Sequence, residues 1–136
     1  MTVQREIALS REHESILRQH AKKCEPNESC AILLGSDKAG TFSISDVIIT
    51  ENADRSPSTF SISGQDLIRA YGESERRGLE VAIFHSHPAS APYPSSTDRR
   101  YMEVNPVPWL IYSNVSGEMR AYILESDIIP LGVKVL

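Results

Sequence analysis

Cysteine is scarce in this sequence, with two in 136 residues, Cys24 and Cys30. Two are too few for a disulfide scaffold, and their spacing matches neither a zinc ribbon nor a redox Cys-x-x-Cys pair. Both read as thiols, and Cys30, inside an apolar run, reads as a small buried hydrophobe. No stretch approaches the ~18 apolar residues that a membrane-spanning helix needs. The opening Met-Thr-Val-Gln-Arg-Glu lacks an apolar signal core, so the expected compartment is the cytoplasm. Basic residues are outnumbered, 14 against 18 acidic, for a formal charge of −4. Arg76-Arg77 and Arg99-Arg100 are isolated pairs rather than a phosphate track, which argues against nucleic acid as a partner. Repeats, low-complexity tracts and linkers are also missing. With 40% apolar and 24% charged residues, the expectation is one globular domain over residues 1–136.

What is present reads as an alternation of strands and helices. Val3 to Leu9 alternates like a short edge strand. Ser10 is a credible N-cap for a helix whose stripe is Ile16, Leu17, His20 and Ala21, with Lys22-Lys23 suited to its C-terminus. Glu25-Pro26-Asn27 breaks that helix. Glu28 to Gly35 is then a charged residue launching a continuous apolar run, the pattern of a central strand covered on both faces. Ser36 to Gly40 reads as a turn and Thr41 to Thr50 as the returning strand. A polar stretch, Glu51 to Ser58, leads to a possible short strand over Thr59–Ser63. Ser63-Gly64-Gln65-Asp66 reads as the entry to a helix through Leu67, Ile68, Ala70 and Tyr71 to about Arg77, with Gly78 placed to end it. Leu79 to Phe84 is a strand, Ser96-Thr97-Asp98 opens a short helix, and Pro108–Tyr112, Met119–Leu124 and Ile128–Leu136 are three further strands. The fold class expected is α+β, a mixed sheet with two substantial helices and one short one.

The chemistry concentrates at Ile83-Phe84-His85-Ser86-His87-Pro88 and the segment down to Asp98. Residues i and i+2 of a strand share a face, so His85 and His87 can reach one point. Asp98 follows after a loop containing Pro88, Pro92 and Pro94. Two imidazoles and a carboxylate, with no fourth side chain demanded, is how a catalytic zinc is held when water keeps the open position. A His-x-His pair alone is weak. Its weight comes from the conjunction His-x-His-x7-Ser-x2-Asp, together with an acid-launched strand upstream at Glu28. His13 and His20, on the first helix, read as ordinary structural histidines.

This conjunction resembles the JAMM (MPN-plus) motif of the JAB1/MPN metalloprotease family. The likeness lies in Glu28 of Glu-Ser-Cys-Ala-Ile-Leu-Leu-Gly, in His85-Ser86-His87-Pro88, and in Ser95-Ser96-Thr97-Asp98. The order of elements is similar too, so the resemblance covers nearly the whole chain. It implies the α/β sandwich that such domains share with cytidine deaminases. It also implies a zinc-dependent hydrolase cutting the peptide or isopeptide bond after the C-terminal glycine of a ubiquitin-like β-grasp protein. On that resemblance His85, His87 and Asp98 match the ligands of one Zn2+, Glu28 the general acid/base, and Ser95 the residue that helps hold the oxyanion. Many members carry Gly where this chain has Ala31. The insertions of eukaryotic deubiquitinases have little room here, so the chain resembles the compact prokaryotic branch. Asn52 to Pro57 and Ala91 to Ser95 are similar to peptidases that free cysteine from a sulfur-carrier protein.

The residue chemistry is consistent with those roles. Burial at the head of a strand raises a carboxyl pKa toward the working range, which suits Glu28 to moving protons. Ser95 can donate to an oxyanion or simply cap the helix near Thr97. Ser86 is expected to face away from the metal, in packing or a supporting bond, since no nucleophile elbow surrounds it. The substrate tail is expected along a strand edge beside the metal, with Ala91 to Pro94 either walling that channel or forming a stiff surface loop. An edge near the termini could serve a homodimer. Three rival readings remain. A non-catalytic scaffold would have lost metal residues, whereas all are filled here. A zinc deaminase would need His-x-Glu and Pro-Cys-x-x-Cys. A DNA-repair-associated relative would need a basic surface.

Overall fold

In the computed structural model, which describes residues 5–136, the elements run β1 (Glu6–Leu9), α1 (Arg11–Cys24), β2 (Cys30–Lys38), β3 (Thr41–Thr50), α2 (Gly64–Arg77), β4 (Glu80–His87), α3 (Ser96–Val104), β5 (Trp109–Ser113), β6 (Met119–Leu124) and β7 (Ile128–Val135). The α+β expectation holds, and so do most element positions. Local chemistry explains the helix starts. Ser10 Oγ accepts the His13 N–H at 3.0 Å and Ser63 Oγ the Asp66 N–H at 3.2 Å, each satisfying an otherwise orphaned donor of the first turn. Gly78 closes α2 in the left-handed region at φ 63°, where a side chain would be strained.

The strands hydrogen-bond in the order β1-β3-β2-β4-β5-β6-β7 and close into a barrel, because β7 returns to β1. This corrects two expectations. β1 is not an edge: Glu6–Ala8 pair in parallel with Thr41–Ser43, and Glu6–Leu9 with Gly132–Val135. The edge suggested for a homodimer is therefore occupied within the chain. Val3 and Gln4 of that expected strand lie outside the described residues. Two smaller differences concern turns. Ser36 and Asp37 pair across to Ser43 and Phe42, so β2 runs on to Lys38. Only Ala39 (φ 54°) and Gly40 (φ 90°) are left to make the hairpin turn, two left-handed residues in the manner favoured by tight hairpins. Thr59–Ser63 belongs to no sheet.

The register of β2 is broken between Leu34 and Gly35. A Cβ at Gly35 would lie 2.2 Å from the Ser43 carbonyl oxygen, so only glycine allows the close approach. Side-chain alternation then sorts the core. Ala82 and Phe84 of β4 join Leu17 of α1, Ala31, Leu33, Phe42 and Leu110 in one apolar cluster. Ile83 faces the opposite way, with Phe60, Met102 of α3 and Trp109; Val81 packs with Ile32, Leu34 and Ala70 of α2. Burying each Leu, Ile or Phe of such clusters contributes ~1.5–3 kcal/mol. His85 and His87 share the parity of Ile83, and hence the face covered by α2 and α3.

Candidate metal centre

The last residues of β4 lie between β2 and β5, with Cys30 opposite His85 on one side and Ile111 on the other. Regular pleating there points both imidazoles the same way. Their Nε2 atoms are 3.1 Å apart, and Asp98 Oδ2 lies 3.1 Å from one and 3.0 Å from the other. Atoms bound tetrahedrally to zinc at ~2.0 Å stand roughly 3.3 Å apart, so this triangle has the size of one face of such a site. Its three residues form a buried group that could hold a metal ion.

The supporting bonds fit that reading. His87 donates its Nδ1–H to the Ala91 carbonyl at 2.8 Å, which turns the Nε2 lone pair toward the shared point. Asp98 is the third residue of α3 and forms a reciprocal cap with Ser95. The Ser95 N–H donates to Oδ2 at 2.9 Å, and Ser95 Oγ accepts the Asp98 N–H at 3.1 Å. Ser95 is thus the helix cap, and its hydroxyl proton is still available to donate. His85 is held differently. Its Nδ1 is buried without a partner, and its ring stacks on Phe60 at 4.7 Å and 21°, with the Trp109 edge at 5.6 Å.

Glu28 sits two residues ahead of β2 rather than in it. It is 3% exposed, and its Oε1 has no hydrogen-bond partner. Its backbone is tied on both sides. The Glu28 N–H donates to the Ser56 carbonyl at 2.8 Å, and Asn52 Nδ2 donates to the Glu28 carbonyl at 3.1 Å. Ser86 points away from the imidazoles, as expected, and accepts the Ser29 N–H at 2.8 Å, pinning the residue beside Glu28. Cys30 is fully buried, as expected of a small hydrophobe.

Electrostatics separates the groups. Burial pushes Glu28 up to about 8; the nearby His87 pulls it down, while Asp98 and Asp54 add to the rise. Burial also pushes Asp98 up, but hydrogen bonds from both imidazoles overwhelm it and leave the carboxyl far below its usual range. Burial lowers His85 despite Asp98. In His87 burial is outweighed by Asp98 and the Ala91 carbonyl, so its net shift is upward.

All five residues singled out in the sequence therefore sit around one point or beside it. Sequence reasoning missed Asn52 and Phe60 as individual site residues. Asn52 is the knot of its loop: Nδ2 also donates to the Thr59 carbonyl at 2.9 Å, and Oδ1 accepts the N–H groups of Asp54 and Ser61 at 3.0 and 3.2 Å. The available signal was a buried-type Asn opening a polar loop directly after a strand, with an aromatic eight residues on. The loop over Ala91–Pro94 is anchored, the Pro92 carbonyl accepting the Tyr122 hydroxyl proton at 2.7 Å, and Tyr93 is more than half exposed.

The architecture and the site define a class: the chain belongs to the family described as prokaryotic homologs of the JAB domain, which it matches over residues 10–125. Among curated proteins it is similar to a desampylase of Pyrococcus furiosus, 38% identical over 98 residues, covering 71% of this chain and 66% of the relative. A CysO-cysteine peptidase of Mycobacterium tuberculosis is 32% identical over 80 residues, covering 58% and 53%. The Lys-63-specific deubiquitinase BRCC36 of Camponotus floridanus is 34% identical over 89 residues, covering 60% and 35%. The matches thus span between about a third and two thirds of the relatives' own lengths. The solution structure of protein DSY2949 from Desulfitobacterium hafniense shares the fold, with a TM-score of 0.85 at 24% identity over 96% of this chain and 92% of that one. Among the described residues no helix is long and apolar enough to cross a membrane.

Proposed function

We propose that residues 1–136 form a single JAB1/MPN-type zinc metallopeptidase domain. It hydrolyses the bond after the C-terminal glycine of a ubiquitin-like or sulfur-carrier β-grasp protein in the cytoplasm. The observation that carries this reading is the triangle of His85, His87 and Asp98 beside an unpartnered buried carboxylate, Glu28. Relatives described as a desampylase and a CysO-cysteine peptidase support the peptidase reading. One Zn2+ would be held by these three residues and would supply a Lewis acid that activates water near neutral pH.

The chain's own residues do the rest. Glu28 Oε1, bonded to nothing else, takes the proton of the attacking water and returns it to the leaving amine. The Ser95 hydroxyl, with its lone pair engaged by Asp98, donates its proton to the developing oxyanion. Phe60 and Trp109 exclude water from the His85 ring and keep it on β4's face. The substrate tail adds as a strand along Phe60–Ile62, whose backbone groups at 60 and 62 have no hydrogen-bond partner among the described residues. These residues border a groove of about 150 Å³ lined also by Leu67, Ile83, Tyr101 and Trp109. Backbone pairing of this kind reads an extended tail independently of most side chains.

Metal content and hydrolysis measured on one preparation test the reading. A β-grasp carrier extended by one cysteine should lose it at a rate abolished by chelator, with one zinc per chain. Metal without cleavage of any carrier or isopeptide conjugate, or no metal at all, favours the scaffold reading instead.

A further inference from the structure

Hydrolysis of the proposed substrate adds water across the carbonyl C–N bond. The carrier keeps the new carboxylate on its glycine, and the amine departs with the proton from Glu28. Glu28, which hands over that proton, also borders an open space. That space is a cleft of about 490 Å³ between the end of α1, the end of β3 and the loop after it. Its size suits a small ligand.

The cleft's charges are Lys23 and Arg55 on one side of the balance and Glu51 and Glu28 on the other; His20, Cys24 and Asn52 are among the remaining walls. Neither Lys23 nor Arg55 makes an ion pair among the described residues. Lys23 occupies the last turn of α1, where the helix dipole already favours a cation. Arg55 has no such structural reason. It stands at φ 47°, in the left-handed region where Gly or Asn is cheaper, and strain of that kind gathers at functional loops. The Asn52 knot enforces it: the Arg55 N–H donates to the Asn52 carbonyl at 3.1 Å, and the same Asn52 side chain holds the Glu28 carbonyl. The Arg55 backbone is thereby tied through Asn52 to that of Glu28.

We propose that this cleft is a leaving-group subsite for a single amino acid, with Arg55, assisted by Lys23, holding its free α-carboxylate. This rests on the peptidase reading and specifies its substrate: a carrier carrying one C-terminal residue, not one joined through a lysine side chain. In a single-residue leaving group the carboxylate lies two bonds from the departing nitrogen, whereas an isopeptide-linked lysine presents a methylene chain there.

The test uses a sulfur-carrier protein ending in Gly-Gly and extended by one cysteine, prepared as the free acid and as the C-terminal amide. The metal-loaded wild type should favour the acid roughly tenfold through KM, the scale of one hydrogen bond to a charged group, with kcat little changed. Arg55→Gly removes the side chain while suiting the positive φ, so the fold is preserved. It should raise KM for the acid to that of the amide and leave the amide unaffected, and Arg55→Lys should recover part of the preference. Binding of both forms to the Glu28→Gln variant should follow the same order without turnover. Equal handling of acid and amide, or equal loss of both in Arg55→Gly, overturns the subsite and leaves the peptidase standing. Failure to cleave either form overturns the peptidase reading and the subsite with it.

Discussion

Glu28 and Asp98 are buried to the same degree, each 3% exposed, and yet their carboxyl groups are driven in opposite directions. Desolvation raises both; what differs is company. Asp98 lies within hydrogen-bonding distance of two imidazoles and accepts a backbone N–H from Ser95. Glu28 has its backbone tied down and its Oε1 left alone. Burial by itself therefore assigns no role. Partners make one carboxylate a permanent anion suited to a cation, and their absence leaves the other able to change protonation near neutral pH.

Breaking the anion side should have the largest effect. Asp98→Ala is expected to weaken metal binding by more than the ~10–100-fold that loss of an outer hydrogen bond costs, read by metal content after dialysis. A variant that still holds stoichiometric zinc would remove Asp98 from the ligand set. Glu28→Gln should retain the metal while kcat falls by ~10²–10⁴-fold, the usual contribution of a positioned acid/base. Undiminished turnover would take Glu28 out of proton transfer.

A smaller effect sharpens how the ligands are aimed. Phe60→Leu keeps an apolar side chain but removes the stacked ring, and His85 has no hydrogen bond to replace it. Zinc affinity is expected to fall about tenfold, the lower end of such supporting effects, with recovery in Phe60→Tyr. An unchanged affinity in Phe60→Leu would show that the strand alone orients the ring.

The gentlest probe is the stability of the metal-free protein against pH. The folded value of Glu28, about 8, lies above its ordinary 4.5. Between those values the folded chain holds a proton that the unfolded chain has released, so this group's contribution is full below about 4.5 and lost as pH rises through 8. Asp98 acts with the opposite sign, its contribution present above the ordinary carboxyl range and lost in acid. Urea unfolding in chelator from pH 5 to 9 should show a decline in the wild type that Glu28→Gln flattens. Identical slopes would mean that Glu28 is solvated.

The contrast between these two acids also marks where reading the sequence stops. His85 and His87 were legible because strand parity places i and i+2 together, and Asp98 because it is the carboxylate that follows them in the spacing His-x-His-x7-Ser-x2-Asp. The helices themselves were legible from their caps: Ser10, Ser63, Ser95 and Gly78 all act as their residue types suggest. The elements that failed were those depending on distant partners. Thr59–Ser63 has strand-like residues but joins no sheet. β1 alternates like an edge strand, yet it is covered on both sides by strands from far along the chain.

The sequence by itself determined most of the element order and the shared strand face of His85 and His87, since both follow from local periodicity, capping and turn chemistry. Only the tertiary structure decided that the sheet closes, that Asn52 ties the loop to Glu28, that Phe60 replaces a hydrogen bond at His85, and that Arg55 stands at the cleft. Those are pairings between residues distant along the chain or set by a folded loop. The physical reason is that hydrogen bonds and packing are satisfied by whatever the fold brings near, and no local pattern encodes the identity of a remote neighbour.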